Sequence, residues 1–144
     1  DLIRSRGLGD VYKRQVLKEC YRILKPGAVM LISVPSYLPE SLCWMYSKEY
    51  MQTPGGHIRI FKKEFLKECF KELDLKLFKQ HREHAMHSIY WILKARNNME
   101  EDKFLKSFHG LLVRQMFGQA KLSLFLERLL NPIFGKSECF YLRK

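Results

Sequence analysis

The chain has 144 residues, of which 47% are hydrophobic and 28% charged, so it can bury a core and is not an intrinsically disordered sequence. Its net charge of +11 suits nucleic acid, an anionic membrane or an acidic substrate, and equally a solvated basic surface. No apolar run is long enough to span a bilayer. The four cysteines (Cys20, Cys43, Cys69 and Cys139) fit no zinc spacing, so we expect reduced thiols in a cytoplasmic protein.

The first 15 residues, "DLIRSRGLGDVYKRQ", differ from the rest of the chain because they have two glycines, four basic residues and no clear apolar face. Gly7–Asp10 contain a Gly-x-Gly, but a cofactor loop of that kind follows a buried strand, and "DLIRSR" does not predict one. A plain helix capped by Asp10 and reaching Leu24 is an alternative. The stretch "RGLGDVYKRQ" resembles translated sequencing adapter, so we interpret residues 1–15 as a non-native segment.

Residues 16–34 predict a helix, a tight turn and a buried strand. Apolar side chains recur at helical spacing up to Leu24, and Lys25-Pro26-Gly27 disfavours further helix. The following "AVMLISVP" has no polar alternation, which is typical of a strand buried on both faces of a parallel sheet. Pro35 ends this strand. The pattern is that of the second half of a β-α-β unit.

The middle of the chain predicts a long connection over residues 36–61, then a helix and a strand. "KKEFLKECFKELDL" places Phe65, Leu66, Cys69, Phe70 and Leu73 on one helical face. "LKLFKQHRE" alternates leucines with polar residues and predicts a strand. Residues 87–130 are helical in pattern, Asn131-Pro132 interrupts that pattern, and "KSECFYLRK" predicts a last strand.

Three stretches together resemble class I S-adenosylmethionine-dependent methyltransferases of the methyltransferase type 11-like group. They are "LKECYRILKPGAVMLISVP", "GGHIRIFKKEFLKECF" and "LNPIFGKSECFYLRK". The resemblance implies an α/β fold, a partial Rossmann-like domain over residues 16–144 with the family's fifth, sixth and seventh strands and their flanking helices. It also implies a closing strand inserted antiparallel between the other two, and a helical insertion over about residues 85–135.

The same resemblance implies a methyltransferase that uses S-adenosylmethionine as its cofactor. Its acceptor would be a small molecule, a lipid or a sugar. The family's glycine-rich cofactor loop and the acidic residue for the ribose have no counterpart after Val16. We therefore assign no cofactor-binding residues, and expect the chain to be the C-terminal part of such an enzyme, inactive by itself.

Ligands in open α/β sheets bind beyond the carboxyl ends of the parallel strands, which directs attention to two stretches of this chain. After the first strand, the resemblance and the glycine-flexed loop make His57 the candidate general base, with Tyr37 and Arg59 as substrate contacts. Alternatively, His57 only bonds its own loop and Arg59 is solvated. After the second strand, His84 and His87 are further substrate contacts. Metal binding by "HREHAMH" would need an irregular backbone, so no metal is predicted.

Residues 103–130 carry an apolar stripe (Phe104, Leu105, Phe108, Leu112 and Met116) beside basic residues. A helical cap on the sheet explains the stripe. The alternative function is a basic amphipathic module that binds a membrane surface peripherally. A nucleic-acid partner is not predicted because no recognition motif accompanies the charge.

Overall fold

The computed structural model describes residues 2–52 and 60–144. In chain order its elements are α1 (Leu2–Ile23), β1 (Val29–Pro35), α2 (Tyr37–Tyr46), α3 (Lys48–Gln52), α4 (Lys63–Glu72), β2 (Lys76–Glu83), α5 (Ala85–Arg96), α6 (Lys103–Met116), α7 (Lys121–Phe134) and β3 (Ser137–Arg143). The chain is therefore a mixture of helices and strands, as the sequence predicts at the level of fold class.

The three strands form one sheet in the order β1-β3-β2. Strand β3 is antiparallel to β1, because the Gly27 amide donates to the Lys144 carbonyl at one end and the Ser36 amide donates to the Lys136 carbonyl at the other. Strand β3 is antiparallel to β2 as well. The two outer strands consequently point the same way, and the last strand of the chain lies between them.

The chain divides into two compact units. Each of the three strands contributes some residues to one unit and some to the other. The first unit contains Asp1–Ile32, Lys62–Lys79 and Phe140–Lys144, and the second contains Ser33–Phe61 and Gln80–Cys139. In the core of the first unit, the rings of Phe70 and Phe140 meet edge to face, with their centroids 5.5 Å apart.

Two clusters of buried side chains form the core of the second unit. One contains Met86, Tyr90, Leu105 and Leu112. The other contains Cys43, Tyr50 and Ala95, with Trp91 packed against both clusters. The aromatic residues Tyr90 and Trp91 are therefore core contacts of this unit.

The N-terminal helix ends where the sequence predicts. Helix α1 stops at Ile23, and Gly27 then adopts a positive φ of 77°, which glycine tolerates better than other residues. Residues 7–10 lie inside α1, so they form no loop. Asp10 as the helix N-cap is wrong, since the helix begins at Leu2.

Strand β1 has the predicted position, but its predicted burial on both faces is wrong. Its exposure alternates along the strand, and Val29 and Leu31 are 48% and 56% exposed. The reason is that no described element covers the face that carries Val29 and Leu31, and β1 is in addition an edge strand of the described sheet. An apolar strand thus has one face and one edge that the described residues leave uncovered.

Two expectations about loops and breaks are also wrong. The predicted connection after β1 contains α2 and α3, because Pro39 lies in the first turn of α2, where a missing N–H is tolerated. Pro132 lies inside α7 and not after it. It falls in the last turn, where the Pro132 carbonyl accepts a hydrogen bond from Arg82. The helix over 62–75, the strand over 75–83 and the last strand are confirmed as α4, β2 and β3.

Candidate functional site

The five site residues predicted from the sequence have different outcomes. His57 and Arg59 lie outside the described residues. Tyr37 is the first residue of α2 and its side chain is exposed. His84 and His87 come together beyond the carboxyl end of β2, with ring centroids 5.7 Å apart in an edge-to-face arrangement. This pair is the part of the prediction around which the described structure builds a site.

The backbone between β2 and α5 determines how the histidines meet. Strand β2 ends at Glu83, His84 adopts the left-handed conformation (φ 69°, ψ 43°), and α5 begins at Ala85. This irregular residue redirects the chain, so His84 and His87 face each other although a continuous strand would separate them. A left-handed conformation is unfavourable for a non-glycine residue, and strained residues of this kind cluster at functional sites.

Glu127 is the third member of the group, and the sequence analysis missed it. Its carboxylate lies 3.6 Å from His84 Nδ1. One ligating atom from each of His84, His87 and Glu127 falls within 4.8 Å of the other two. We call these three residues the His-Glu cluster.

Helix α7 supplies Glu127 from an unusual face. The buried residues of this helix are Ser123, Glu127 and Asn131, spaced four apart, and all are polar. Its exposed face instead carries five large apolar side chains, those of Leu122, Phe125, Leu126, Leu129 and Ile133. A polar stripe at helical spacing is a signal that sequence reasoning could have used, since four-residue spacing places side chains on one face.

Asn131 connects the cluster to the end of β2. Its side-chain amide donates to Glu83 Oε2 at 2.7 Å, and its Oδ1 accepts from the Ala85 amide at 3.0 Å. The second bond satisfies a backbone N–H in the first turn of α5, where no intrahelical acceptor exists. Asn131 thus fixes the backbone beside His84.

Gly135 permits the close approach of this same segment. A Cβ at position 135 would lie 2.7 Å from the Asn131 carbonyl oxygen and 2.9 Å from the Glu83 amide nitrogen. Both contacts are with backbone atoms, which cannot rotate away as a side chain can. The residue after α7 therefore has to lack a side chain for α7 to pack against the end of β2.

Burial changes the protonation of the cluster. Desolvation lowers the pKa of His87, and the nearby His84, Lys136 and His109 lower it further. His87 is therefore a neutral imidazole at neutral pH, with one nitrogen lone pair available. Desolvation also raises the pKa of Glu127, with Glu83 adding to the increase and His84 opposing it.

Several buried polar atoms of this region have no hydrogen-bond partner. They are Glu127 Oε2, His87 Nδ1, Ser88 Oγ and Ser123 Oγ. Buried polar atoms are nearly always satisfied in folded proteins, and each exception requires an explanation such as a bound ion or water. These four atoms belong to α5 and α7, and two of them, Glu127 Oε2 and His87 Nδ1, belong to the His-Glu cluster itself.

A second polar group lies at the carboxyl end of β1. Glu40 is completely buried, Tyr50 donates to its carboxylate at 3.2 Å, and Lys136 Nζ lies 3.1 Å from Glu40 Oε1. Burial and the Glu40 charge together raise the pKa of Tyr50 above its ordinary value, so its hydroxyl stays a donor. They also raise the pKa of the Cys43 thiol to about 11. This group is a satisfied network that holds α2 and α3 to the start of β3.

Comparisons with protein-family models, with curated proteins and with solved structures give no match to this chain. The residues themselves are therefore the basis for a function. Two imidazoles and a buried carboxylate can bind a divalent metal ion or exchange protons with a ligand. The group lies beyond the carboxyl end of β2.

Proposed function

We propose that residues 16–144 form the C-terminal, acceptor-binding part of a class I S-adenosylmethionine-dependent methyltransferase with a Rossmann-like fold. The observation that carries the proposal is the sheet order, in which β3 runs antiparallel between two parallel strands. The resemblance in sequence implies this arrangement for the family's closing strand. The helix, Lys25-Pro26-Gly27 turn and strand that begin the sheet support the same conclusion.

The surface of β1 supports the proposal independently of the sequence resemblance. This strand is apolar on both faces, yet Val29 and Leu31 are exposed and β1 lies at an edge of the described sheet. Continuous apolar strands are typical of the centre of a parallel sheet covered on both faces. Further strands and helices of a complete methyltransferase domain would pair with this edge and cover this face.

The described residues that contain a Gly-x-Gly do not fit the cofactor itself. Residues 7–10, which contain the Gly-x-Gly, lie within α1 and follow no strand. A loop that contacts a nucleotide cofactor joins a buried strand to a helix. We therefore place only the acceptor side of the enzyme in this chain, with His84 and His87 beyond β2 and Tyr37 beyond β1.

Two residues outside the described part complete the proposed acceptor side. His57 would accept the proton of an acceptor hydroxyl, which requires a neutral imidazole within hydrogen-bond reach. Arg59 would contact an anionic group of the acceptor. Both assignments derive from the family resemblance and from the sequence prediction that Gly55 and Gly56 flex the loop around these residues.

The proposal can be tested by sequencing the native gene upstream of the codon for Val16. We expect an in-frame buried strand, a G-x-G-x-G-type loop and an acidic residue in place of residues 1–15. The restored protein should bind S-adenosylmethionine saturably in calorimetry, and the chain as given should not. Native coding sequence identical to residues 1–15, or micromolar binding by the chain as given, would contradict the proposal.

A second candidate function is peripheral binding to an anionic membrane, and the outer faces of α6 and α7 favour it. Both helices expose large apolar side chains, and the basic residues Lys103, Lys106, Arg114, Lys121 and Arg128 are exposed on the same two helices. Apolar side chains beside lysine and arginine suit an interface of acyl chains and acidic headgroups. None of the helices in the described ranges is both long and apolar enough to cross a membrane.

Co-sedimentation with vesicles tests the second candidate. We expect binding to vesicles with acidic lipid, weaker binding to neutral vesicles, and loss of binding as salt rises. Leu129→Asp on α7 should abolish binding, because Leu129 is 65% exposed on the apolar face. Met45→Asp is the matched control, since Met45 is 67% exposed on α2. Equal binding by both variants would exclude α7 as the membrane-binding face.

A further inference from the structure

The His-Glu cluster has the composition of a metal site, and its ligating atoms lie near one another. Two imidazoles and one carboxylate each offer a ligating atom, all within 4.8 Å of one another. Glu127 is only 7% exposed, and its Oε2 has no hydrogen-bond partner. A buried carboxylate oxygen without a donor is costly, and a bound cation is one of the few groups that removes this cost.

We propose that His84, His87 and Glu127 bind one divalent transition-metal ion, and that Zn²⁺ is the ion that fits these ligands best. Zinc takes histidine nitrogens and carboxylate oxygens at about 2.0–2.2 Å and prefers four ligands. Three protein ligands leave one position open to water or to a substrate oxygen. His84 lies at the surface, so this fourth position is reachable from solvent.

The arrangement is explained less well by an ordinary ion pair. His84 Nδ1 and Glu127 Oε1 are 3.6 Å apart, which is too long for a hydrogen bond. Such a pair would also leave Glu127 Oε2 and His87 Nδ1 without a partner. A metal ion would engage all three side chains, provided that small side-chain rotations bring the ligating atoms closer together.

Neighbouring residues supply the support that metal sites require. The left-handed His84 is held between β2 and α5, where Asn131 binds both Glu83 and the Ala85 amide. Asn131 therefore holds the backbone on both sides of His84, although it makes no hydrogen bond to a ligand side chain. The proposed metal site does not depend on the methyltransferase proposal, because it rests on the described side chains alone.

Titration of the untagged full chain with ZnCl₂ tests the site. We expect one ion per chain. The dissociation constant should increase by about 100-fold or more in His84→Ala, His87→Ala and Glu127→Gln. His81→Ala is the matched control, because His81 is a nearby histidine on β2 outside the cluster. Its affinity should stay within about threefold of the parent. Circular dichroism in a chelator establishes that each variant is folded.

Cobalt substitution provides a second measurement that needs no variant. Co²⁺ in a four-coordinate site of nitrogen and oxygen ligands gives intense visible absorption without a thiolate charge-transfer band. A thiolate band would instead place the ion on one of the four free cysteines and overturn the proposal. Two other results would also overturn the proposal. One is that His81→Ala lowers the zinc affinity as much as the cluster variants do, and the other is that zinc does not bind stoichiometrically.

Discussion

Helices α4 and α7 both carry an apolar stripe and a polar stripe, but they bury opposite ones. Helix α4 buries Leu66, Cys69 and Phe70 in the first unit and turns its charged residues to solvent. Helix α7 buries Ser123, Glu127 and Asn131 in the second unit and exposes three leucines, one phenylalanine and one isoleucine. An amphipathic pattern therefore predicts that a helix has two faces, while the surroundings decide which face is buried.

The difference distinguishes a helix that stabilises the fold from one that serves a site. Burying an apolar face removes it from water and contributes directly to stability. Burying a polar face has to be offset by hydrogen bonds or by a bound ion. Helix α7 meets this requirement at Asn131 but not at Ser123 or Glu127 Oε2. Its exposed apolar face and its polar interior are the features on which the proposed membrane and metal binding rest.

The largest expected effect is on the free energy of unfolding, and it appears when one phenylalanine from each helix is replaced by alanine. Phe70 on α4 is 2% exposed and packs against Phe140, whereas Phe125 on α7 is 63% exposed. Phe70→Ala should lower the free energy of unfolding by about 3–5 kcal/mol, because it leaves a cavity. Phe125→Ala should change it by no more than about 0.5 kcal/mol. Urea denaturation measures both, and a large loss at Phe125 would show that this face is buried in solution.

A smaller effect is expected at the end of α7, where Gly135 contacts backbone. Gly135→Ala forces a Cβ against the Asn131 carbonyl and the Glu83 amide, so it should destabilise the protein by about 1–3 kcal/mol. Gly110 is the matched control in the middle of α6, where an added Cβ meets nothing within 4 Å. Gly110→Ala should stabilise by about 0.5–1 kcal/mol. Thermal unfolding measures both variants. Equal shifts of their unfolding midpoints would contradict this account.

The polar stripe of α7 can be divided into satisfied and unsatisfied positions. Asn131→Ala removes the acceptor of the buried Ala85 amide and should lower the free energy of unfolding by about 1–3 kcal/mol. Ser123→Ala removes a buried hydroxyl that has no partner, so it should be neutral or stabilising. Chemical denaturation in the presence of a chelator compares them. A loss at Ser123 as large as at Asn131 would mean that its hydroxyl is bonded.

The sequence predicts the local elements well, because their signals are local. The Lys25-Pro26-Gly27 turn, the alternation before Glu83 and the apolar face of α4 depend on residues a few positions apart. Helix α2 was missed because Pro39 suggested a loop, although a proline in the first turn is compatible with a helix.

The candidate site was predicted only in part, for a physical reason. The sequence indicates His84 and His87 as substrate contacts after the second strand but gives no sign that His84 is left-handed. Glu127 joins them from a helix about 40 residues later, and tertiary packing alone determines that approach. The packing in turn requires Gly135 and Asn131, whose roles appear only when the end of β2 is in place.

The smallest predicted effect concerns Glu101, a carboxylate of the second unit that has two partners, in contrast to Glu127 Oε2. Hydrogen bonds from Lys94 and Tyr90 lower the pKa of Glu101 to about 2, below the value of about 4.3 for an unfolded glutamate. Since the folded pKa is the lower one, the carboxylate stabilises the fold above about pH 5, and this contribution disappears as the pH falls towards 2. Glu101→Gln should therefore narrow the difference in unfolding midpoint between pH 6 and pH 3. The exposed neighbour variant Glu100→Gln serves as the control. If Glu101→Gln left the pH dependence unchanged, the hydrogen bonds to Tyr90 and Lys94 would not persist in solution. Glu101 would then lack hydrogen-bond partners, as Glu127 Oε2 does.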